Sequence, residues 1–266
     1  INMSKISVTT IAGLTSGGDA NKVKIESGDT LQVESNATVG GTLGVTGATT
    51  TAGITSSAAH TVTTSTHANA SVFKSTGNTQ IMLQDTDASA NDQFWGLQNS
   101  GGEFNILTCN DDRANGFVTP MTITQAGQVK QPLVPRFLAR KNTSSWTLSA
   151  NSIIVWDSTS INNGYNVGSH YNTSNGKFTC PVAGTYYFKA TSIINETVSN
   201  GFWAIRKNGS AVQEQHISQT STSWFAHHIE FTGEFAASDT VEVYLGSAPT
   251  GFYGQAWSFF HGRMIG

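Results

Sequence analysis

Asn166–Phe188, with the sequence NVGSHYNTSNGKFTCPVAGTYYF, decides how the C-terminal half of this chain folds. At its end, Tyr186 and Phe188 alternate with residues of the opposite face, a period of two that indicates a half-buried β-strand. Further strand-like runs follow, and Asn208-Gly209 predicts a hairpin because this dipeptide favours tight turns between antiparallel strands. No segment shows the 3.6-residue period of an amphipathic helix. About eight to ten strands in the last ~130 residues predict an all-β fold with a jelly roll.

The spacing of six residues within that stretch carries a family resemblance. Asn166-x4-Tyr171-x6-Phe178-x5-Gly184-x-Tyr186-x-Phe188 resembles the core signature of the complement C1q/tumour-necrosis-factor-like domain. Pro135–Arg140 is similar to the first strand of that family, and Phe260–Gly266 is similar to its closing strand. Two departures occur: Trp156-Asp157 stands for Phe-Asp with a shifted spacing, and Ala190 stands where an aromatic residue is expected. The resemblance predicts a C1q-like jelly-roll head over residues 135–266.

The resemblance also implies a compact homotrimer, with the chain entering and leaving the head at its base and three loops at the free tip. These loops lie near residues 195–201, 219–222 and 248–253, and loops on a rigid scaffold are where binding usually resides. The candidate receptor-binding residues are Asn195, Glu196, Asn200, Thr220, Phe252 and Tyr253. Phe252 and Tyr253 would either stack on a ligand or pack as an ordinary lid. The resemblance further implies aromatic residues packed along the trimer axis, with Tyr186, Phe188 and Phe260 as candidates.

The first 72 residues contain no aromatic residue, so they cannot build a core of normal size on their own. We expect residues 1–30 to attach the chain to a larger particle. Residues 31–70 are rich in Gly and Thr, and Val33, Val39 and Val45 recur at intervals of six. Such isolated residues bury apolar surface only if three chains wrap round one axis, which favours a trimeric β shaft. A disordered linker is the alternative.

Residues 71–129 form a second β unit in this interpretation. Turn signals recur about every 8–12 residues, which predicts a small antiparallel β-sandwich. The motifs Gln84-Asp85-Thr86, Phe94-Trp95-Gly96 and Ser100-Gly101-Gly102 resemble small β modules of phage tail fibres. Pro132 and Pro135 then mark the boundary with the head, because proline stiffens a link and disfavours helix before it.

Charge and hydropathy exclude several classes of partner. Charged residues make up only 12% of the chain, against about 25% in a typical soluble domain. The net charge is -3 and no Lys/Arg cluster occurs, which argues against a nucleic-acid partner. No apolar run approaches the roughly 20 residues that span a bilayer, so we expect no membrane insertion. Cys109 and Cys180 are interpreted as two separate, small buried hydrophobes.

The residues of a catalytic centre are not recognisable. Carboxylates are sparse in the head and show no paired spacing, which argues against a glycosidase and against an enzyme in general. We expect no cofactor. Two alternatives stay open: calcium held by the acidic loops Asp85–Asp87 or Asn110–Asp112, and a metal bound by three copies of His227 or His228 at a trimer axis.

These features together predict a structural, homotrimeric virion fibre protein of a bacteriophage, either a tail fibre or a head fibre. Its N-terminus would bind a larger virion component, and its head would recognise a host-surface glycan or protein during adsorption. The first twelve residues have no continuous apolar core, so we expect assembly in the host cytoplasm and a final place on the virion surface. The alternatives are a capsid or tail decoration or cement protein whose head serves trimerisation only, and a glycan depolymerase.

Overall fold

A computed structural model describes residues 76–194, 196–247 and 249–266 of the chain. The described residues belong to one compact unit, Ser71–Gly266. The predicted attachment segment (residues 1–30) and the predicted shaft (residues 31–70) lie outside the described residues.

Residues 76–130 form one antiparallel sheet of five strands that follow one another in space as they do in sequence. The strands are β1 (Thr79–Gln84), β2 (Phe94–Ser100), β3 (Glu103–Cys109), β4 (Val118–Ile123) and β5 (Val129–Lys130). Gly101 and Gly102 join β2 to β3 with φ values of 58° and 81°, a left-handed backbone that favours glycine at both positions of a two-residue hairpin loop.

The prediction of a small two-sheet sandwich over residues 71–129 is corrected by this single sheet. One face of the sheet is covered by the chain's own side chains and connecting loops. Arg113 lies 5.6 Å above the ring of Phe94, and the N–H of Asn91 donates to Asp111 Oδ2 at 2.8 Å, which links the two longest loops. Because these loops bury the Phe94 side, a second sheet has no place there within the described residues.

The head follows after a short turn at residues 131–135 and contains two antiparallel sheets. The strands are β6 Arg136–Arg140, β7 Ser145–Thr147, β8 Ser152–Ile153, β9 Tyr165–Val167, β10 Tyr171–Asn172, β11 Lys177–Thr179, β12 Gly184–Ile194, β13 Val198–Lys207, β14 Ser210–Gln219, β15 Phe225–Phe235, β16 Thr240–Leu245, β17 Gly251–Tyr253 and β18 Phe259–Met264, with a 3-10 turn at Gln255–Trp257. The first sheet runs in the order β10-β11-β16-β13-β14, with β8 paired to β16. The second sheet runs in the order β7-β17-β12-β18-β6-β9, with β15 also paired to β12.

The core of the head lies between these two sheets and is rich in aromatic rings. Phe137 stacks on Tyr171 and Phe178 with centroids 4.6 and 5.0 Å apart. Trp156 packs 5.5 Å from Phe260, so this departure from the family pattern still fills the core. The two-sheet, all-β architecture confirms the predicted jelly roll.

The residues expected on a trimer axis are in this core instead. Tyr186, Phe188 and Phe260 are all 0% exposed within a single chain, where they pack against rings such as Phe178 and Phe235. Their assignment to the axis is therefore corrected, since a side chain with no exposed surface cannot contact a neighbouring subunit. A period of two shows that one face of a strand is covered, but it does not say which molecule covers it.

Two residues of the sequence signature have a clear local role. Asn166 donates from Nδ2 to the Tyr171 carbonyl (2.8 Å) and accepts the Tyr171 N–H at Oδ1 (3.1 Å), which fixes their five-residue separation. Gly184 lies against the C-terminus, where a Cβ would come within 2.5 Å of the Gly266 carbonyl oxygen. The spacing of the signature thus records contacts that close the sandwich.

Cys109 and Cys180 are both buried and free, as predicted. Burial, together with the nearby negative charge of Asp239, raises the pKa of the Cys180 thiol to about 12. Within the described part of the chain, no helix has the length and apolar character that a membrane span requires.

Candidate binding site

The strand register separates the base of the head from its distal end. At the base, the N–H of Met264 donates to the Pro135 carbonyl (3.0 Å), which brings the chain entry and the C-terminus together. At the other end of the same sheet, Ile194 pairs with Phe225 and Ile193 pairs with Tyr253. The described parts of the three predicted tip loops therefore lie at one end, opposite to the chain entry; Asn195 lies outside the described residues.

Glu196 links two of these loops. Its Oε1 accepts hydrogen bonds from the backbone N–H groups of Thr250 (2.5 Å) and Gly251 (3.0 Å), and its Oε2 lies 3.4 Å from Thr250 Oγ1. These bonds occupy the carboxylate, so Glu196 holds the loop before β13 against the loop before β17. The residue predicted as a ligand contact serves here to position the loops.

Asn200 lies in β13 beside a register irregularity between Val198 and Gly201. Its backbone is left-handed, with φ at 53°, and its carbonyl accepts a hydrogen bond from Ser247 Oγ at 2.9 Å. Ser247 Oγ in turn accepts the N–H of Phe202 at 3.1 Å. The start of β13 is thus fastened to the end of β16, and the Asn200 side chain stays exposed.

The two predicted aromatic residues differ in their surroundings. Phe252 is only 2% exposed and stacks on Trp146 with centroids 5.1 Å apart, so it packs as a lid and has no surface for a ligand. The prediction that Phe252 contacts a ligand is therefore corrected. Tyr253 is half-buried, and its ring stacks on Trp224 with centroids 4.2 Å apart and an interplanar angle of 29°.

Tyr253, a predicted candidate, lies in a surface cluster with two tryptophans that the sequence did not predict as site residues. The distal aromatic cluster consists of Trp224, Tyr253 and Trp257. Trp224 is 53% exposed and Trp257 is 49% exposed, and their rings meet edge to face at 5.5 Å. Because Trp224 and Trp257 are far apart in sequence, no local pattern brings them together; only the pairing of β15 and β17 with β12 does.

Next to the cluster, Thr220 lines a pocket of about 190 Å³ between the end of β14 and the start of β15. Gln219 forms its floor and donates from Nε2 to the carbonyls of Ser221 (2.9 Å) and Ser223 (3.0 Å). The exposed ring of Phe225 forms an apolar wall, and the lining also includes Ser218, Thr220, Ser221 and His227. The pocket therefore combines hydroxyl groups with an aromatic surface.

A hydrogen bond in this pocket fixes which ring nitrogen of His227 carries the proton. Its Nε2 lies 3.1 Å from Gln219 Oε1, and since that amide oxygen only accepts, His227 Nε2 donates. Burial lowers the pKa of His227, and repulsion from the adjacent His228 lowers it further. His227 is therefore a neutral hydrogen-bond donor at neutral pH. The cluster and the described pocket lining contain no Lys, Arg, Asp or Glu.

Among the described residues, no group of three or more His, Cys, Asp or Glu side chains is arranged to hold a metal ion. Asp112 accepts bonds from Ala114 N–H (2.8 Å) and from Asn115, so it closes its own turn. The bond from Ala114 is the main cause of the lowered pKa of the Asp112 carboxyl. Asp85 likewise accepts the N–H of Asp87 at 3.4 Å.

The distal aromatic cluster and the pocket thus lie at one end of an antiparallel two-sheet jelly roll. Residues 136–254 match the C1q domain, which confirms the predicted C1q-like head. Domains of this kind are often trimeric and act in binding, and they are typically non-enzymatic. No curated protein matches the chain.

Two solved structures are similar to about half of this chain. The globular domain of zebrafish complement 1qA protein is 14% identical, with a TM-score of 0.38 over 50% of this chain and 98% of that one. The Eiger TNF from S. frugiperda is 8% identical, with a TM-score of 0.39 over 51% of this chain and 94% of that one.

Proposed function

We propose that this chain is a homotrimeric fibre protein of a virion, whose C-terminal head binds a glycan or protein on the host surface through its distal end. The observation that carries the proposal is the exposed cluster of Trp224, Tyr253 and Trp257 beside a hydroxyl-lined pocket. Both lie at the end of a C1q domain that faces away from the chain entry. A binding site at that end is available while the base stays connected to the rest of the chain.

The chemistry of the distal end favours an uncharged polar ligand. Tryptophan and tyrosine rings present a large apolar surface with a polar edge, which suits the faces of sugar rings as well as protein side chains. The Ser and Thr hydroxyls and the Nε2 proton of His227 supply hydrogen bonds without a net charge. Such a site does not attract its ligand over long distances, so its on-rate depends little on salt.

Three copies of this site on one trimer would act by avidity. Linked sites raise the effective concentration of the second binding event, so a weak site can hold a particle firmly without any new contact. In this proposal residues 1–30 bind a larger virion component, which places the trimer on the virion surface. The head is then the part that meets the host.

The proposal is tested with the full chain on host cells and on immobilised host-surface glycans. Trp224→Ala and Trp257→Ala each remove an exposed ring and are expected to weaken binding at each site by roughly 2- to 12-fold, because one stacked aromatic pair is worth about 0.5–1.5 kcal/mol. Phe117→Ala, which removes a similarly exposed ring (47%) from the other β unit, serves as the matched control.

Unchanged binding in both tryptophan variants would overturn the assignment of the site. A trimeric chain that binds no host surface but binds the particle would instead fit a decoration or cement protein, whose head serves trimerisation only.

A further inference from the structure

The five-stranded sheet β1–β5 leaves one face apolar and exposed. The apolar sheet face is defined by the side chains of Ile81, Leu83, Trp95, Leu97, Phe104 and Val129. Leu83 is 60% exposed, Val129 55% and Trp95 51%, although all are large apolar residues. Alternation along a strand places every second residue on one face, so these residues belong to the same side of the sheet.

The register extends this face across the strands without a break. Ile81 lies opposite Leu97, Leu97 lies opposite Ile106, and Ile106 lies opposite Met121, which forms an apolar row across four strands. A second row pairs Leu83 with Trp95. No charged residue of the strands β1–β5 lies on this side, although Asp85, directly after β1, borders it by the same alternation; the ion pair of Glu103 and Lys130 (2.8 Å) stands on the other side.

The middle of the opposite face, on β2 and β3, is buried by the chain itself. Phe94, Leu107 and Cys109 are at most 5% exposed there. A Cβ on Gly96 would lie 2.8 Å from both Leu107 Cδ1 and Met82 Sδ, so these two side chains already meet above the glycine. The sheet therefore covers the middle of its mixed face and exposes a mostly apolar one, on which Thr79, Asn99 and Thr108 are polar. This is the reverse of what an isolated soluble sheet does.

The size of the exposed face is unusual for a surface that stays in water. Five strands spaced about 4.8 Å apart, with up to seven residues at about 3.3 Å each, give a planar area of roughly 300–400 Å². A contiguous apolar patch of this order is near the largest that soluble monomers expose, and such patches generally mark interaction sites.

We propose that the apolar sheet face packs against the same face of two further copies of this chain, so that residues 76–130 form a second trimer contact beside the head. The strands place no charged residue on this face, which argues against a partner held by charge, and a mostly apolar face complements a second copy of itself. The proposal rests on the trimeric head of the proposed function, because that head brings the three sheets together.

The short connection to the head enforces this proximity. Only Gln131–Pro135 separate β5 from β6, a stretch that spans at most about 20 Å. The connection is also folded back on itself, since Arg136 Nη1 donates to the carbonyls of Gln131 and Val134, both at 3.2 Å. Three sheets attached to a trimer of heads are therefore held at an effective concentration of about a millimolar or more.

The short connection to the head is needed for association of the sheets, because the apolar sheet face is small. Three faces that meet round an axis remove roughly 1,000 Å² from water, at or below the lower limit of about 1,200 Å² for an interface that is stable alone. We therefore expect the sheets to associate only while the heads are associated.

The experiment uses the full chain with one introduced cysteine. Leu97→Cys lies near the middle of the apolar sheet face, and Gln80→Cys lies on the opposite face as an exposed, matched control. The native Cys109 and Cys180 are buried and contribute little to the signal. A bis-maleimide linker is used, because a direct disulfide demands Cα separations below about 7 Å. The native mass of each variant is measured first.

We expect a trimeric native mass for both variants and covalent dimers at least tenfold faster for Leu97→Cys than for Gln80→Cys. A trimeric mass with equal cross-linking of both variants overturns the inference and leaves the trimeric head intact. The inference is also overturned if the introduced thiol of Leu97→Cys does not react with a monofunctional maleimide and yet forms no covalent dimers. In that case something other than a second copy of the chain covers the face. A monomeric mass overturns the trimer of the proposed function itself.

Discussion

Glu242→Gln is expected to destabilise the head strongly, because it removes a buried negative charge and leaves two positive charges without their partner. Glu242 is 2% exposed and lies in β16, in the middle of the first sheet of the head. Lys177 Nζ lies 2.9 Å from Glu242 Oε2, and Arg206 Nε lies 3.4 Å from Glu242 Oε1. Oε2 makes no well-aligned hydrogen bond, so charge is what holds this group of three residues together.

The exposure of the two cations sets the size of the effect. Breaking a fully buried ion pair costs about 3–5 kcal/mol, because the remaining charge stays buried. Here the side chains of Lys177 and Arg206 are 34% and 24% exposed and can recover part of their hydration. We therefore expect a loss of about 2–3 kcal/mol in the free energy of unfolding, which lowers the Tm of a head of this size by roughly 6–12 °C.

The assay is thermal and urea unfolding of the full chain at one fixed protein concentration, since the stability of an oligomer depends on concentration. Glu214→Gln, an exposed residue of β14, is the matched control and should change stability by less than about 0.5 kcal/mol. A change as small as this in Glu242→Gln would refute the reasoning, because the buried charges would then contribute no net stability.

Three further predictions concern the head. The hydrogen bond from Lys207 lowers the pKa of Asp239 to about 2, below its unfolded value near 4. The stability that Asp239 contributes is therefore present above pH 4 and is lost as the pH falls to 2. In Asp239→Asn, the free energy of unfolding should change less between pH 4 and pH 2 than in the unmodified chain. Gly184→Ala should lower the Tm by several degrees, because its Cβ would come within 2.5 Å of the Gly266 carbonyl oxygen; an unchanged Tm would contradict that packing. Burial and a raised pKa should leave the Cys180 thiol unreactive to a maleimide in the folded chain and reactive in guanidinium; fast labelling of the native protein would disagree.

Local patterns were sufficient to predict the strands and the family of the head. The signature residues are predictable because each makes a short-range or closing contact: Asn166 with Tyr171, and Gly184 with the C-terminus. Such contacts demand fixed spacings, and fixed spacings are visible in one sequence. The jelly roll follows from them together with the alternation in the strands.

The sequence did not predict whether an apolar strand face is covered by the chain's own core or is left exposed on the surface. Tyr186 and Ile81 both lie in alternating strands, yet the first is buried in its own head and the second is 39% exposed. Alternation encodes only that one face is apolar. The distal aromatic cluster was hidden for another reason, since Trp224 and Trp257 are brought together by strand pairing between distant segments.

The low charge of the chain connects these observations. A monomeric domain keeps its exposed faces in water with charged residues, which usually make up about 25% of the sequence. This chain has 12%, and the strands β1–β5 place no charged residue on the apolar sheet face. In the proposed trimer much of the surface that would need charge in a monomer is shared between copies, and the distal end binds its ligand through rings and hydroxyls. A single expectation follows: separated protomers should aggregate, because each would expose an apolar face that no part of the described chain covers. If the trimer is separated by dilution of the protein, or by substitutions that weaken its subunit contacts, and the resulting monomers stay soluble, this link between low charge and assembly is wrong.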